Sequence, residues 1–194
     1  MKIVFATNNA HKLREARQMA GGKLEILSLA DIGCNEELPE TCDTIEGNSL
    51  QKASYVKEHY GYDCFADDTG LMVDALDGAP GVYSARYAGE HCSPADNIAL
   101  LLHNMQGVAD RAARFRTVVT LCRDNMTTIS FEGCVEGIIA TEPHGNGGFG
   151  YDPIFIPSES GVPFALMSAD DKNEISHRGR AMRLLFNHLL DSKE

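Results

Sequence analysis

Apolar residues recur in two rhythms along this chain, and the alternation between them predicts its elements. Lys2 to Thr7 encloses an unbroken run, Ile3-Val4-Phe5-Ala6, of buried-strand length. Leu13, Ala16, Arg17 and Ala20 then follow helical spacing until Gly21-Gly22 stops them, and Leu24 to Leu29 reads as a second strand, so the chain opens as a β-α-β unit. After an acidic loop at 30–43, Asp43 and Glu46 have capping-box spacing for a helix from about Thr44 to Tyr60, ended by Gly61. Asp63 to Ala66 and Leu71 to Ala75 read as strands on either side of "DDTG". Ser93-Pro94-Ala95-Asp96 starts a helix with Ile98, Leu101, Leu102 and Met105 on one face, and Gly107 stops it. Phe115 to Cys122 and Thr127 to Ile139 form a long antiparallel pair about Asp124-Asn125, the second strand alternating through Ile129, Phe131, Gly133 and Val135. A glycine-rich loop (145–150), a short strand (154–156) and a last helix carrying Ile175, Met182, Leu185 and Leu189 complete the pattern. No repeat, linker or low-complexity tract divides it. The expectation is one α/β domain over 1–194, built on a mixed sheet flanked by helices.

Composition narrows the function classes. With 43% hydrophobic residues in 194, the chain supports an ordinary α/β core. No stretch approaches the roughly 18 apolar residues of a membrane span, and "MKIVFATNNAHK" turns polar too soon for a signal peptide. A net charge of −11 argues against a nucleic-acid or membrane-surface binder, while leaving room for a small anion in a locally basic pocket. The six cysteines contain no C-x-x-C pair, which points to reduced thiols and a cytoplasmic location.

Candidate chemistry gathers in a few stretches. In "TNNAHK" (7–12), Asn8 or Asn9 is a natural N-cap, yet His11, Lys12 and Arg14 put cations where the helix dipole disfavours them. A bound phosphate would reverse that penalty; a solvated helix start is the alternative. Lys52 lies four residues after Asn48 and shares its helix face, although an exposed helix lysine would look the same. "FADDTGL" (65–71) sets two carboxylates side by side, a pattern suited to Mg²⁺ shared with substrate phosphates or to a simple Asx-type turn. Glu36, Glu37 and Glu40 are further candidate ligands. "GNGGFGYDPIF" (145–155) contains a literal G-x-G-x-x-G, but strand-like residues rather than a helix follow it, so a dinucleotide fingerprint is rejected. Phe149 and Tyr151 remain as stacking surfaces or core residues, with Asp152 as a polar contact. In "DDKNEISHRGRA" (170–181), Lys172, His177 and Arg178 are placed to meet an anion and a base edge.

Taken in order, the blocks "TNNAHK", "EGNSLQKA", "FADDTGLMVDALDGAPGVYSARYAG", "GGFGYDPIF" and "KNEISHRGRA" resemble, nearly end to end, the inosine/xanthosine triphosphate pyrophosphatases. Asn8 stands where that family commonly has glycine, and Ser49 where it commonly has alanine. The resemblance implies hydrolysis of deaminated purine nucleoside triphosphates (ITP, dITP, XTP) to the monophosphate and pyrophosphate with Mg²⁺. It also implies a long twisted mixed sheet with a central substrate cleft, and a homodimer. Residue by residue, Thr7, Asn8, Asn9, Ala10, His11, Lys12 and Lys52 would bind the triphosphate, and Thr69 would touch substrate. Asp68 would be the catalytic carboxylate and, with Glu40, a metal ligand. Phe149, Gly150, Tyr151, Asp152, Lys172, His177 and Arg178 would hold the base. Two rivals remain: a related pyrophosphatase acting on pyrimidine or methylated nucleotides, and a nucleotide-binding regulator without turnover.

Overall fold

The opening β-α-β unit forms as its pattern predicts. In a computed structural model that describes residues 1–191, β1 is Lys2–Phe5, α1 is Ala10–Ala20 and β2 is Glu25–Leu27. Gly21 ends α1 in the left-handed conformation that glycine adopts without strain. Next come α2 (Ile45–Tyr60), β3 (Cys64–Val73), β4 (Pro80–Gly81) and α3 (Pro94–Asn104). The chain continues through β5 (Ala112–Arg123), β6 (Thr127–Ile139), β7 (Phe155–Pro157), α4 (Ala169–Ile175) and α5 (His177–Asp191). The last three residues of the predicted domain, 192–194, lie outside the described residues.

The sheet is mixed, as expected for this α/β fold. Its order is β2-β1-β3-β5-β6-β7, with β4 also on β3. β1 runs parallel to β2 and β3, whereas β4 is antiparallel to β3 and β7 to β6.

Several boundaries differ from the pattern-based expectation. Thr44, not Asp43, caps α2, its hydroxyl accepting from the Gly47 N–H. "FADDTGL" is no turn between two strands but the middle of one ten-residue strand. Two adjacent carboxylates look like a break in a hydrophobic pattern, yet β3 runs through them and both are buried. The last helical region is two helices: Ser176 sits in extended conformation between α4 and α5, so Ile175 belongs to α4. In β6 the alternation buries Gly133, Val135 and Ile139, while Ile129 is exposed.

The described residues gather into two compact units, one of Met1–Asp68, Thr117–Gly133 and Arg178 onward, the other of Thr69–Arg116 and Cys134–His177. In the first, successive residues of β1 and β3 serve opposite layers. Ile3, Phe5 and Phe65 pack with Ala16, Ala20, Met182, Leu185 and Leu189 of α1 and α5. Val4, Ala6, Cys64 and Ala66 pack with Ala53 and Val56 of α2. A strand buried on both faces has to be continuously apolar, which is why these runs do not alternate with polar residues. The second unit has its own core, in which Leu71, Val73, Leu101, Met105, Phe115, Val135, Ile139, Tyr151, Phe155 and Phe164 meet.

Candidate active site

Burying a carboxylate without a partner is costly, and the first unit solves that problem at Asp67 with two cations. Asp67 is fully buried on β3. Its Oδ1 accepts from Lys12 Nζ at 3.0 Å and its Oδ2 from Arg178 Nε at 3.0 Å. Arg178 Nη1 donates in turn to Glu15 on α1 at 2.9 Å. Burial pushes the Asp67 carboxyl upward, but Lys12, Arg178 and Lys52 outweigh it, so Asp67 lies well below the usual carboxylate range.

Asp68, one residue on, has the opposite balance. Burial raises its carboxyl above the usual value; Lys52 and Lys12 oppose that rise, and the neighbouring charges of Glu40 and Asp67 add to it. Asn48 Nδ2 donates to Asp68 Oδ2 at 3.4 Å, and Lys52 Nζ is 3.6 Å from Asp68 Oδ1. Lys52 also donates to Glu40. Burial lowers the Lys52 ammonium, but Asp68, Glu40 and Asp67 prevail and hold it protonated above its ordinary value. Lys12 is shifted down, first by burial and then by Lys52 and Arg178, despite Asp67. Lys12, Lys52, Glu40, Asp67, Asp68 and Arg178 therefore constitute one electrostatically linked cluster.

The remaining residues of "TNNAHK" frame it. Asn9 is the N-cap of α1: its Oδ1 accepts from the N–H groups of His11 at 2.9 Å and Lys12 at 3.2 Å, and its own N–H donates to Thr7 Oγ1. Asn8 turns instead to the acidic loop, donating to Glu36 O and accepting from Leu38 N–H. Ala10 and His11 are exposed in the first turn of α1.

In the second unit, Asp152 is the organising carboxylate. It accepts from Lys172 Nζ at 2.6 Å and from the Phe149 N–H at 2.7 Å. The Lys172 ammonium lies 4.8 Å from the Phe149 ring centroid and 5.6 Å from that of Phe164, within cation–π range. Tyr151 is buried, its hydroxyl donating to Ser84 O at 2.8 Å, so of the two aromatics predicted as stacking surfaces it is the core residue and Phe149 the half-buried one. The His177 ring stacks on Phe115 with centroids 4.5 Å apart. Gly150 adopts a left-handed conformation in the loop, and Thr69 is half-buried on β3.

The predicted residues thus form two clusters, one in each unit. Arg178, expected at a base edge, is engaged by Asp67 and Glu15 in the first unit. Sequence reasoning did not single out Glu15 for the site, although it lies one helical turn beyond Lys12, where the two side chains share a face.

Among the described residues, no group of three or more His, Cys, Asp or Glu side chains could hold a metal by itself. The Glu40–Asp68 pair nonetheless fits Mg²⁺, which commonly takes one or two carboxylates and completes its shell with water and substrate phosphates. Both carboxylates reach the same Lys52 ammonium, and the Asp68 carboxyl stays raised because Lys52 and Lys12 do not fully offset its burial.

The site is thus a set of buried aspartates on a mixed α/β sheet, beside lysines from two helices. Residues 3–188 match the sequence model of the Ham1 family, and the chain belongs to that family. It is 52% identical to a dITP/XTP pyrophosphatase of Porphyromonas gingivalis, with 99% of each chain covered. It is 50% identical to one of Flavobacterium johnsoniae, with 100% of each covered. The solved structure of the Staphylococcus aureus Ham1 protein superposes with a TM-score of 0.89 at 36% identity, covering 100% of both chains. That of a nucleoside-triphosphatase, dITP/XTP pyrophosphatase, from Mycobacterium abscessus gives 0.77 at 41% identity, covering 95% of this chain and 98% of that one. The resemblance read from the sequence blocks is borne out. Among the described residues, no helix is long and apolar enough to cross a membrane.

Proposed function

We propose that this chain hydrolyses deaminated purine nucleoside triphosphates (ITP, dITP and XTP) to the monophosphate and pyrophosphate, cleansing the nucleotide pool. The observation that carries the reading is the linked cluster of Lys12, Lys52, Glu40, Asp67, Asp68 and Arg178, in a chain about half identical to proteins named for this reaction. Lys12 and Lys52 would pair with the phosphate oxygens. Thr7, Asn9, Ala10 and His11 would line the same chain of phosphates, with Asn8 contributing main-chain atoms only, since its side chain is committed to the acidic loop.

Glu40 and Asp68 would hold Mg²⁺, which when bound neutralises developing charge on the phosphates. Asp68 is the proposed general base. A carboxyl raised by burial accepts a proton more readily than an ordinary one, and it would take that proton from the water attacking the α-phosphorus as pyrophosphate departs. Thr69 would touch the substrate. Phe149, Gly150, Tyr151 and Asp152 would shape the base site, with Lys172, His177 and Arg178 donating to it. Hypoxanthine and xanthine offer a 6-oxo acceptor where adenine offers an amino donor, so a polar site of donors separates them by up to about 10⁴-fold. We further place the protein in the cytoplasm as a homodimer acting through one catalytic domain; all six cysteines are free thiols, which suits a reducing compartment.

Incubation with ITP and Mg²⁺ tests the reading directly: pyrophosphate and the monophosphate are expected. Release of single phosphate would overturn the reaction, and preference for dUTP over ITP and XTP would favour the pyrimidine rival. Binding of ITP without any product would favour the regulator.

A further inference from the structure

Glu40 lies in an exposed loop with no helix or strand of its own, and a metal ligand on a free loop would spread its carboxylate over many positions. This loop is tied on both sides of it. On the N-terminal side, the Asn8 carboxamide spans two main-chain groups: Nδ2 donates to Glu36 O at 3.2 Å and Oδ1 accepts from the Leu38 N–H at 3.2 Å. The Glu36 carboxylate is held as well, accepting from the hydroxyls of Tyr55 at 3.1 Å and Tyr60 at 2.7 Å. On the C-terminal side, Gln51 makes the matching pair. Its Oε1 accepts from the Thr41 N–H at 2.9 Å, and its Nε2 donates to Thr41 Oγ1 at 2.8 Å. Asn48 Oδ1 then accepts from the Cys42 N–H at 2.9 Å, while the same side chain reaches Asp68.

We propose that Asn8 and Gln51 are positioning residues that clamp the loop two residues before and one residue after Glu40, fixing its carboxylate where Lys52 and the metal meet it. Neither side chain is hydrogen-bonded to Glu40, Lys52 or Asp68, so each acts through the main chain that carries Glu40. The inference rests on the reading of Glu40 as a metal ligand.

The test compares Asn8→Gly, Asn8→Asp, Gln51→Ala, Glu40→Gln and the double variant Asn8→Gly/Glu40→Gln in the full chain. With ITP as substrate, Asn8→Gly and Gln51→Ala are expected to raise the Mg²⁺ concentration for half-maximal turnover by about 3- to 10-fold. In Gln51→Ala, turnover at saturating Mg²⁺ should stay within about twofold. Asn8→Asp, which keeps the acceptor for the Leu38 N–H, should fall between. In metal-free protein, amide exchange should rise at Leu38 in Asn8→Gly and at Thr41 in Gln51→Ala, with α2 still protected. Added to Glu40→Gln, Asn8→Gly should change the Mg²⁺ dependence no further. An effect that multiplies fully in the double variant, or an unshifted Mg²⁺ dependence in both single variants, overturns the clamp alone. A Glu40→Gln protein with wild-type turnover and Mg²⁺ dependence overturns the ligand reading and the inference with it.

Discussion

Asp67 and Asp68 are adjacent in sequence, yet their surroundings assign them opposite energetic signs. Asp67 accepts from two cations and its carboxyl is depressed. A depressed carboxyl contributes stability that is present above the unfolded value, near 3.9, and is lost as the pH falls through the folded one. Asp68 is raised, so its contribution is present at acid pH and is lost as the pH rises through the folded value, leaving ionised Asp68 as a cost at neutrality. Asp67→Asn should therefore destabilise the protein at pH 7 by about 3–5 kcal/mol, because Lys12 and Arg178 keep their charges in a buried place. Asp68→Asn should lose most turnover yet melt at or above the wild-type temperature at pH 7, with the difference shrinking as the pH falls. Urea unfolding and thermal melts across pH, beside ITP turnover, check both. A marked fall in the melting temperature of Asp68→Asn at pH 7, or near-normal turnover, would contradict the assignment.

At the level of elements, what could be read in the sequence was what depends on neighbours along the chain. The capping box of Ser93 and Asp96, with Pro94 behind it, announced α3, and Gly21 and Gly61 announced the ends of α1 and α2. The continuity of β3 could not be read this way, because the cations that make Asp67 tolerable come from residues 12 and 178, far along the chain. Arg178 shows the same limit: its motif suggests a base edge, and only the fold brings it to Asp67 and Glu15 as well. The glycine-rich loop shows a similar division. Its dinucleotide reading failed on local context, but its actual constraint is tertiary. Gly147 lies so close to the Ala165 carbonyl that a Cβ would stand 2.6 Å away, and a Cβ on Gly148, whose φ is +70°, would overlap the Asp152 carboxylate. Gly148→Ala should accordingly push Asp152 off Lys172, raising KM for ITP, and cost about 1–3 kcal/mol through overpacking and strain. Steady-state kinetics and unfolding curves measure both, and an unchanged KM would separate this loop from substrate binding.

Across the whole molecule, 28 acidic and 17 basic residues give a net −11, yet cations are concentrated where the proposed chemistry needs them. Lys12, Lys52 and Arg178 come from α1, α2 and α5, and their paired carboxylates come from β3, α1 and the acidic loop. The protein thus supplies counter-charges for its own buried carboxylates, more completely at Asp67 than at Asp68. A bound metal stabilises a protein by a term that grows with the logarithm of its concentration over its dissociation constant, so a site completed by substrate phosphates contributes little when substrate is absent. Chelation should then separate activity from stability. With EDTA in excess, turnover of ITP should vanish and return on adding Mg²⁺, while the melting temperature without nucleotide stays within about 1 °C of its untreated value, a shift below that expected for 1 kcal/mol in a chain of this size. If EDTA lowered the melting temperature by several degrees in the absence of substrate, the metal would be structural, and the Lys12, Lys52 and Arg178 pairs could not be the main neutralising charges of this site.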